Sequence, residues 1–220
     1  YSLSTTNAQN YPTYGLFYQW GRKDPFPKAA TGVSGSSVAF QPTYQANGST
    51  VTNFPQGVQG PITMEVAIRN PEKFYYNDNN PYDWLSAPNN TLWGNGTTKS
   101  VYDPCPAGWR VPEIGVWNDF GNSWGTTFSK NSNWTAANAD IAGGLYSAGA
   151  VKAFYPASGY CSRVNGQPAT VGGGGFYWTG TVPTGQESYR SSYLDFRFDR
   201  VVPESTSNRA DANPIRCVQE

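Results

Sequence analysis

The stretch that decides the fold is Tyr193-Leu-Asp-Phe-Arg-Phe-Asp-Arg200, in which apolar and polar side chains alternate. A period of two is the pattern of a β-strand. The alternation separates an apolar face from a polar one: Leu194, Phe196 and Phe198 on the first, and Tyr193, Asp195, Arg197 and Asp199 on the second. We expect the apolar face to pack in the core and the polar face to meet water. The polar face is then either a solvated surface with cross-strand ion pairs or part of a ligand surface.

Three more stretches of the second half predict strands, which together with 193–200 form a small antiparallel sheet. They are 152–158, 175–181 and 214–219. In the first half, 15–20 predicts a short strand that breaks at Gly21. The alternation in 61–70 fits a strand or a short helix equally well. The stretch 70–99 is rich in Asn, Pro, Tyr and Trp, which favours a long ordered loop pinned by Trp84 and Trp93.

Two stretches favour helices. Pro112 suits the first position of a helix. That helix would bury Ile114, Val116, Trp117 and Phe120. A second helix is expected within 134–142. Helices beside a small sheet predict an α+β fold, with a core that includes Trp20, Trp109, Trp117 and Trp178.

Composition narrows the possible functions. The 220 residues show no shift that marks a linker, so we expect one domain, 1–220, with a loop-rich insertion around 28–99. Charged residues are 14% of the chain, and their positive and negative charges sum to zero. The composition therefore gives no sign of a basic surface for nucleic acid or for an anionic membrane. No apolar run is long enough to span a membrane, and we expect the first residue, Tyr1, to be a processed end.

Histidine is absent, which excludes Ser-His-Asp and Cys-His catalytic sites and His-ligated zinc. The three cysteines, Cys105, Cys161 and Cys217, lack metal-site spacing and allow one disulfide at most. One disulfide suits a protein outside the cytoplasm. We therefore expect no metal, no cofactor and no catalytic residue.

Four segments in order resemble a known bacterial family, the Fibrobacter succinogenes major paralogous domain of fimbrillin-like surface lipoproteins. They are Gly15-Leu-Phe-Tyr-Gln-Trp-Gly-Arg-Lys-Asp-Pro-Phe26, Asp103-Pro-Cys-Pro-Ala-Gly-Trp-Arg-Val-Pro112, Gly175-Phe-Tyr-Trp-Thr-Gly-Thr181 and Asn208-Arg-Ala-Asp-Ala-Asn-Pro-Ile-Arg-Cys-Val218. The resemblance covers nearly the whole chain, from about Tyr14 to Glu220.

That family is similar to the formylglycine-generating enzymes and to the variable proteins of diversity-generating retroelements, which implies a C-type-lectin-like fold. The redox cysteines of those enzymes have no counterpart in 186–196, so their activity is not carried over. The resemblance also implies a disulfide between Cys105 and Cys217, which flank family motifs, with Cys161 left as a thiol.

In the variable proteins, ligand contact comes from exposed residues before the last strand. The matching residues here combine tyrosines with adaptable polar groups, as binding surfaces do. They are Tyr177, Thr179, Tyr189, Arg190, Ser191, Tyr193, Asp195 and Arg197.

These observations predict a non-catalytic adhesin or recognition domain. It would lie outside the cell or on a bacterial surface, lipid-anchored or fimbrial, and bind a host or neighbouring-cell protein or glycan through its C-terminal half. One alternative is a glycan-active enzyme that uses two carboxylates. Another is a structural fimbrial subunit that contacts other subunits.

Overall fold

A computed structural model describes residues 14–30, 39–51, 54–94, 98–132, 134–135, 142–185 and 189–220. Most of the second predicted helix, 134–142, lies outside these residues. None of the helices found in the described ranges has the length and apolar character needed to cross a membrane.

Fourteen short strands and one α-helix make up the regular structure of the described part. The strands are β1 (Tyr18–Gln19), β2 (Gln56–Gln59), β3 (Lys73–Tyr76), β4 (Trp109–Arg110), β5 (Phe128–Lys130), β6 (Gly143–Ala148), β7 (Val151–Pro156), β8 (Tyr160–Cys161), β9 (Pro168–Ala169), β10 (Gly174–Trp178), β11 (Arg190–Arg197), β12 (Arg200–Asn208), β13 (Ala212–Asn213) and β14 (Val218–Gln219). The helix is α1 (Met64–Arg69), and a 3-10 turn covers Asn118–Phe120.

The strands form five small sheets. Two have three strands, in the orders β10-β11-β12 and β5-β6-β7, and one has four, in the order β1-β13-β8-β9. The remaining two are the antiparallel pair β14-β4 and the parallel pair β2-β3. In the four-stranded sheet Tyr18 pairs with Asn213, so the two ends of the described chain lie side by side.

The predicted fold class is wrong. The described part is 36% strand and 5% helical, which is a β-rich class and not the α+β, C-type-lectin-like arrangement with helices that the sequence favoured. The stretch after Pro112 fails as a helix because Gly115 has φ +94°, a left-handed conformation that interrupts helical hydrogen bonding. Ile114 and Val116 are consequently exposed, while Trp117 and Phe120 are buried as expected.

Most strand predictions in the second half are confirmed, but the single sheet predicted from them is wrong, because β7, the β10-β11 pair and β14 belong to three different sheets. Strands β7, β10 and β11 lie on the predicted stretches 152–158, 175–181 and 193–200, but of 214–219 only Val218–Gln219 pairs. The ambiguous stretch 61–70 contains helix α1, which begins after Thr63 because the Thr63 hydroxyl caps the Val66 N–H. The predicted long loop 70–99 is interrupted by β3. Trp84 and Trp93 are buried in it, as predicted.

Two aromatic clusters cover the two faces of the β10-β11 pair. The first core contains Trp20, Ala67, Tyr75, Trp84, Leu85, Leu92, Trp93, Cys105, Val111, Phe176, Trp178, Tyr193 and Ala210. The second core contains Trp117, Phe120, Phe128, Trp134, Ala142, Ala157, Tyr177, Leu194, Phe196 and Val201. Alternate residues of β10 and β11 therefore enter different cores.

This arrangement corrects the expectation of a wet strand face. Tyr193 and Asp195 are buried because the first core covers their side of β11, whereas Phe198, expected in the core, lies in the turn after β11 and is 49% exposed. Trp109 was expected in the core but is 44% exposed on the two-stranded β14-β4 sheet. Trp20, Trp117 and Trp178 are buried as predicted.

A disulfide joins Cys105 to Cys217, the pairing that the resemblance implied, and Cys161 is a buried free thiol. The disulfide ties the loop before β4 to the segment before β14. The Lys99 ammonium supports the same loop, since it donates to the carbonyl of Pro106 at 3.0 Å and to that of Trp109 at 2.6 Å. The loop that leads into Val111 is thus fixed without regular secondary structure.

Candidate functional site

A cavity between three loop segments, which we call the loop cleft, has a volume of about 690 Å³. That is within the range of cavities that hold small-molecule or oligomeric ligands. Three loop segments line it: Asn90, Thr91, Trp93 and Gly94; Val111, Glu113 and Ile114; and Gly180, Thr181, Val182, Pro183, Thr184 and Gly185. The third segment follows β10 and belongs to the β10-β11 hairpin.

Direct hydrogen bonds join the hairpin wall to the 111–114 wall. The Gly180 N–H donates to the carbonyl of Pro112 at 2.8 Å, and the Thr181 hydroxyl oxygen accepts from the Ile114 N–H at 2.9 Å. Both bonds connect segments far apart in sequence. They fix the relative position of the two walls before any ligand arrives, which lowers the ordering cost of binding.

Hydrogen bonds outside the cleft fix the remaining wall, segment 90–94. Asn90 Oδ1 accepts a 2.7 Å hydrogen bond from the buried Arg209 guanidinium, and the Trp93 indole N–H donates to the carbonyl of Arg22 at 3.1 Å. Thr91 is fixed by an Asx turn in which its N–H and its hydroxyl both donate to Asn89 Oδ1. Each wall of the loop cleft is therefore supported by bonds to the body of the domain.

Glu113 carries the distinctive chemistry of the loop cleft. Its Oε1 atom is buried but has no hydrogen-bond donor among the described residues. The nearest cationic atom, Arg110 Nη1, is 3.6 Å away. The Glu113 side chain is 43% exposed, so its carboxylate can accept from a ligand that brings an N–H or O–H group into the cleft.

The sequence-predicted binding residues do not form an exposed surface. Five of the eight are buried: Tyr177, Thr179, Ser191, Tyr193 and Asp195. The other three, Tyr189, Arg190 and Arg197, are half-buried. The prediction that they share an exposed face is wrong, because the first core covers one side of β11 and Tyr177 packs in the second core.

Two small groups of these residues do come together. Thr179 and Ser191 meet at the base of the hairpin, where the Ser191 hydroxyl donates to the carbonyl of Thr181 and the Thr179 hydroxyl donates to that of Ser192. They support the loop cleft from below. Tyr193 and Arg197 line a smaller cavity of about 120 Å³, beside which Asp195 pairs with Arg197.

Burial also changes the acid-base behaviour of the tyrosines. It raises the pKa of Tyr193 to about 12 and that of Tyr177 further. Both phenols therefore stay protonated at neutral pH, which suits hydrogen-bonding and packing roles. The Tyr177 hydroxyl donates to the carbonyl of Pro156 at 2.8 Å.

Sequence reasoning missed Glu113, Asn90 and Thr184 because none belongs to a periodic pattern. One signal was present: Gly180-Thr-Val-Pro-Thr-Gly185 is a turn-rich run between two predicted strands, which is where a hairpin loop is expected. The sequence pattern places Glu113 in a helix that does not form. Its position in the wall of the loop cleft therefore could not be predicted.

No group of three or more His, Cys, Asp or Glu side chains arranged for a metal occurs in the ranges that the structure describes. Comparison of the chain with protein-family models, with curated proteins and with solved structures finds no match in any of the three. The loop cleft must therefore be interpreted from its own chemistry.

Proposed function

We propose that this chain is a non-catalytic recognition domain that binds a neutral glycan in the loop cleft. The observation that carries the proposal is the Glu113 Oε1 atom, buried without a donor at the wall of a cavity of about 690 Å³. Sugar hydroxyls are donors that a carboxylate oxygen accepts, and such a bond to a charged group contributes about 1.5–3 kcal/mol.

The rest of the lining supports an uncharged, hydroxyl-rich ligand. Thr91, Thr184 and Asn90 offer short polar side chains, while Val182 and Pro183 offer apolar surface. Glu113 lies close to Arg110, so the wall presents little net charge. A few placed polar groups on a partly apolar lining is the usual composition of a ligand pocket.

Several features support a binding role at a bacterial surface. The C-terminal half supplies the Gly180–Gly185 wall, in line with the expected location of ligand contact. A disulfide between Cys105 and Cys217 suits an oxidising compartment. With the resemblance to fimbrillin-like surface lipoproteins, these features favour an adhesin that binds a host or neighbouring-cell glycan.

Catalysis by paired carboxylates has less support than binding. Glycoside hydrolysis needs two carboxyl groups roughly 5–10 Å apart on either side of the scissile bond. Among the described residues that line the loop cleft, Glu113 is the one carboxylate. A glycan bound there contacts one carboxylate and several hydroxyl groups, an arrangement that suits recognition.

The test is a glycan screen with the isolated domain, followed by calorimetry on the bound glycan. Glu113→Ala should weaken binding by about tenfold or more, because the ligand loses its charged acceptor. Thr184→Trp should abolish binding by filling the cleft from its exposed edge. The matched controls are Glu65→Ala on α1, where Glu65 pairs with the exposed Arg69, and Thr50→Trp on an exposed loop.

Three results would reject the proposal. One is tight binding of a protein with no binding of any glycan. The second is equal loss of affinity in Glu113→Ala and Glu65→Ala. The third is glycan fragments, detected by mass spectrometry after long incubation with the domain, which would establish catalysis.

A further inference from the structure

A second cavity, separate from the loop cleft, lies along β11. It has a volume of about 120 Å³ and shares no lining residue with the loop cleft. That volume is about four times the ~30 Å³ that a water molecule occupies in the liquid, so it fits a group of a few heavy atoms. Its lining consists of Tyr160, Arg163, Phe176, Tyr193, Arg197, Ser207, Asp211 and Asn213.

Aromatic rings and one guanidinium form the rigid part of this cavity. Phe176 packs against Tyr160 at 5.3 Å and against Tyr193 at 6.0 Å between ring centroids. The Arg197 guanidinium lies 5.3 Å from the Phe176 centroid, within cation–π distance. The position of the charge is therefore fixed by packing on Phe176.

Asp195 orients Arg197 without using all its donors. Arg197 Nε donates to Asp195 Oδ1 at 3.1 Å, while Asp195 Oδ2 accepts from Arg200 at 2.7 Å. One carboxylate is thus shared between two guanidinium groups. The two terminal nitrogens of Arg197 have no hydrogen-bond acceptor among the described residues, and its side chain is 41% exposed.

A buried amide provides an independent observation. Asn213 lines the cavity on the side of β13 and is 2% exposed. A carboxamide offers N–H donors and a carbonyl acceptor, so this group suits a polar ligand in the cavity. The carboxylate of Asp211 is already occupied, because it accepts from the Arg163 N–H and from the Ser207 hydroxyl.

We propose that this cavity binds a carboxylate group of an acidic ligand through the terminal nitrogens of Arg197 and the carboxamide of Asn213. Arg163 is paired with Asp78 and Asp211, so Arg197 is the lining cation that offers terminal nitrogens to an anion. The planar fork of a guanidinium matches a carboxylate in a bidentate arrangement. The site does not depend on the loop cleft or on its ligand.

The experiment is a titration of the folded domain with sodium acetate, followed by NMR at the Arg197 Nε–H and the Asn213 side-chain amide. Saturable shifts with a millimolar dissociation constant are expected. Arg197→Gln should weaken acetate binding by about tenfold or more. The matched control is Arg200→Gln: Arg200 bonds to the same Asp195 but does not line the cavity, so a change below about threefold is expected.

Glucuronate tests whether the bound carboxylate can belong to a sugar or must be a small free carboxylate. Shifts of the same signals by glucuronate would show that the carboxylate of a sugar is accepted, whereas shifts by acetate alone would restrict the site to small free carboxylates. Either result supports the carboxylate site. Arg197→Lys, which keeps the charge but not the planar fork, provides a second weakened variant if Arg197→Gln does not fold.

Three outcomes would overturn the proposal. Acetamide, the neutral isostere, would bind as tightly as acetate. Arg200→Gln would weaken acetate binding as much as Arg197→Gln. No saturable shift would occur up to about 100 mM acetate, a concentration at which even a very weak site is occupied.

Discussion

The two cores on either side of the β10-β11 pair are built differently. In the first core, buried polar side chains bond to backbone groups: Gln19 Nε2 donates to the carbonyl of Tyr75 at 2.9 Å, and Arg22 Nη1 donates to that of Lys73 at 2.7 Å. In the second core, rings contact rings. Phe128 stacks on Phe120 at 4.2 Å and lies 5.3 Å from Phe196.

The difference follows from the backbone around each core. The second core lies between strands of β5-β6-β7 and β10-β11-β12, whose backbone groups pair in regular ladders. The first core borders β3, which pairs with β2 alone in the described part, so carbonyls on the other edge of β3 need a partner from elsewhere. Buried arginine and glutamine supply that partner. These polar side chains thus take the place of a neighbouring strand along β3.

The largest effect is expected where a side chain belongs to the first core and also bonds to a strand far away in sequence. Trp178 is fully buried, and its indole N–H donates to the carbonyl of Tyr18 at 3.0 Å. Trp178→Ala should lower the free energy of unfolding by about 3–5 kcal/mol, measured by urea denaturation. Trp109→Ala, expected from sequence to be equally damaging, should cost less than about 1 kcal/mol because Trp109 is 44% exposed. Similar losses for the two variants would contradict this core assignment.

A smaller effect separates stabilisation by polar side chains bonded to the backbone, in the first core, from stabilisation by ring packing, in the second core. Arg22→Met keeps bulk but removes the donors to Lys73, Pro71 and Gln19, so we expect a loss of about 2–4 kcal/mol. Phe128→Leu in the second core keeps an apolar side chain of similar volume and should cost about 1–2 kcal/mol. Denaturation of both variants under one condition provides the measurement. A larger loss of unfolding free energy in Phe128→Leu than in Arg22→Met would contradict this difference between the two cores.

The smallest effect is a difference in pH dependence. Burial raises the pKa of Asp83 to about 6, against the opposing effects of the Leu85 N–H and Arg209. Because the folded-state pKa is above the unfolded value of 3.8, the folded state holds this proton more tightly. The contribution to stability is full below about pH 4, falls as pH rises towards 6 and is constant above that.

Unfolding curves between pH 4 and 7 test this pH dependence. Asp83→Asn should reduce the pH dependence, whereas Phe128→Leu should lower stability by the same amount at each pH. An unchanged pH dependence in Asp83→Asn would show that burial of this carboxylate does not have the expected energetic effect.

The sequence predicted local structure better than it predicted burial. Alternation in 193–200 correctly indicated a strand, because backbone pleating alone sets a period of two. It did not indicate that Tyr193 and Asp195 are buried, since that depends on first-core residues from distant parts of the chain. The helix after Pro112 failed at a single residue, Gly115, whose positive φ is set by the turn in which it lies.

The candidate site was predictable only in its general location. The resemblance pointed to the C-terminal half, which does supply the Gly180–Gly185 wall of the loop cleft. The contacting residues were not predictable, because Glu113 and Asn90 reach the cleft through tertiary bonds at Ile114 and Arg209. Such long-range bonds leave no periodic trace in the sequence.

The pairing of β1 with β13 has a consequence for biogenesis. Tyr18 and Asn213 are neighbours in the sheet but are separated by nearly the whole chain. During translation, β1 emerges long before β13, its partner strand. Closure of this sheet must wait for β13, so the aromatic segments between the two strands are made before the sheet can close.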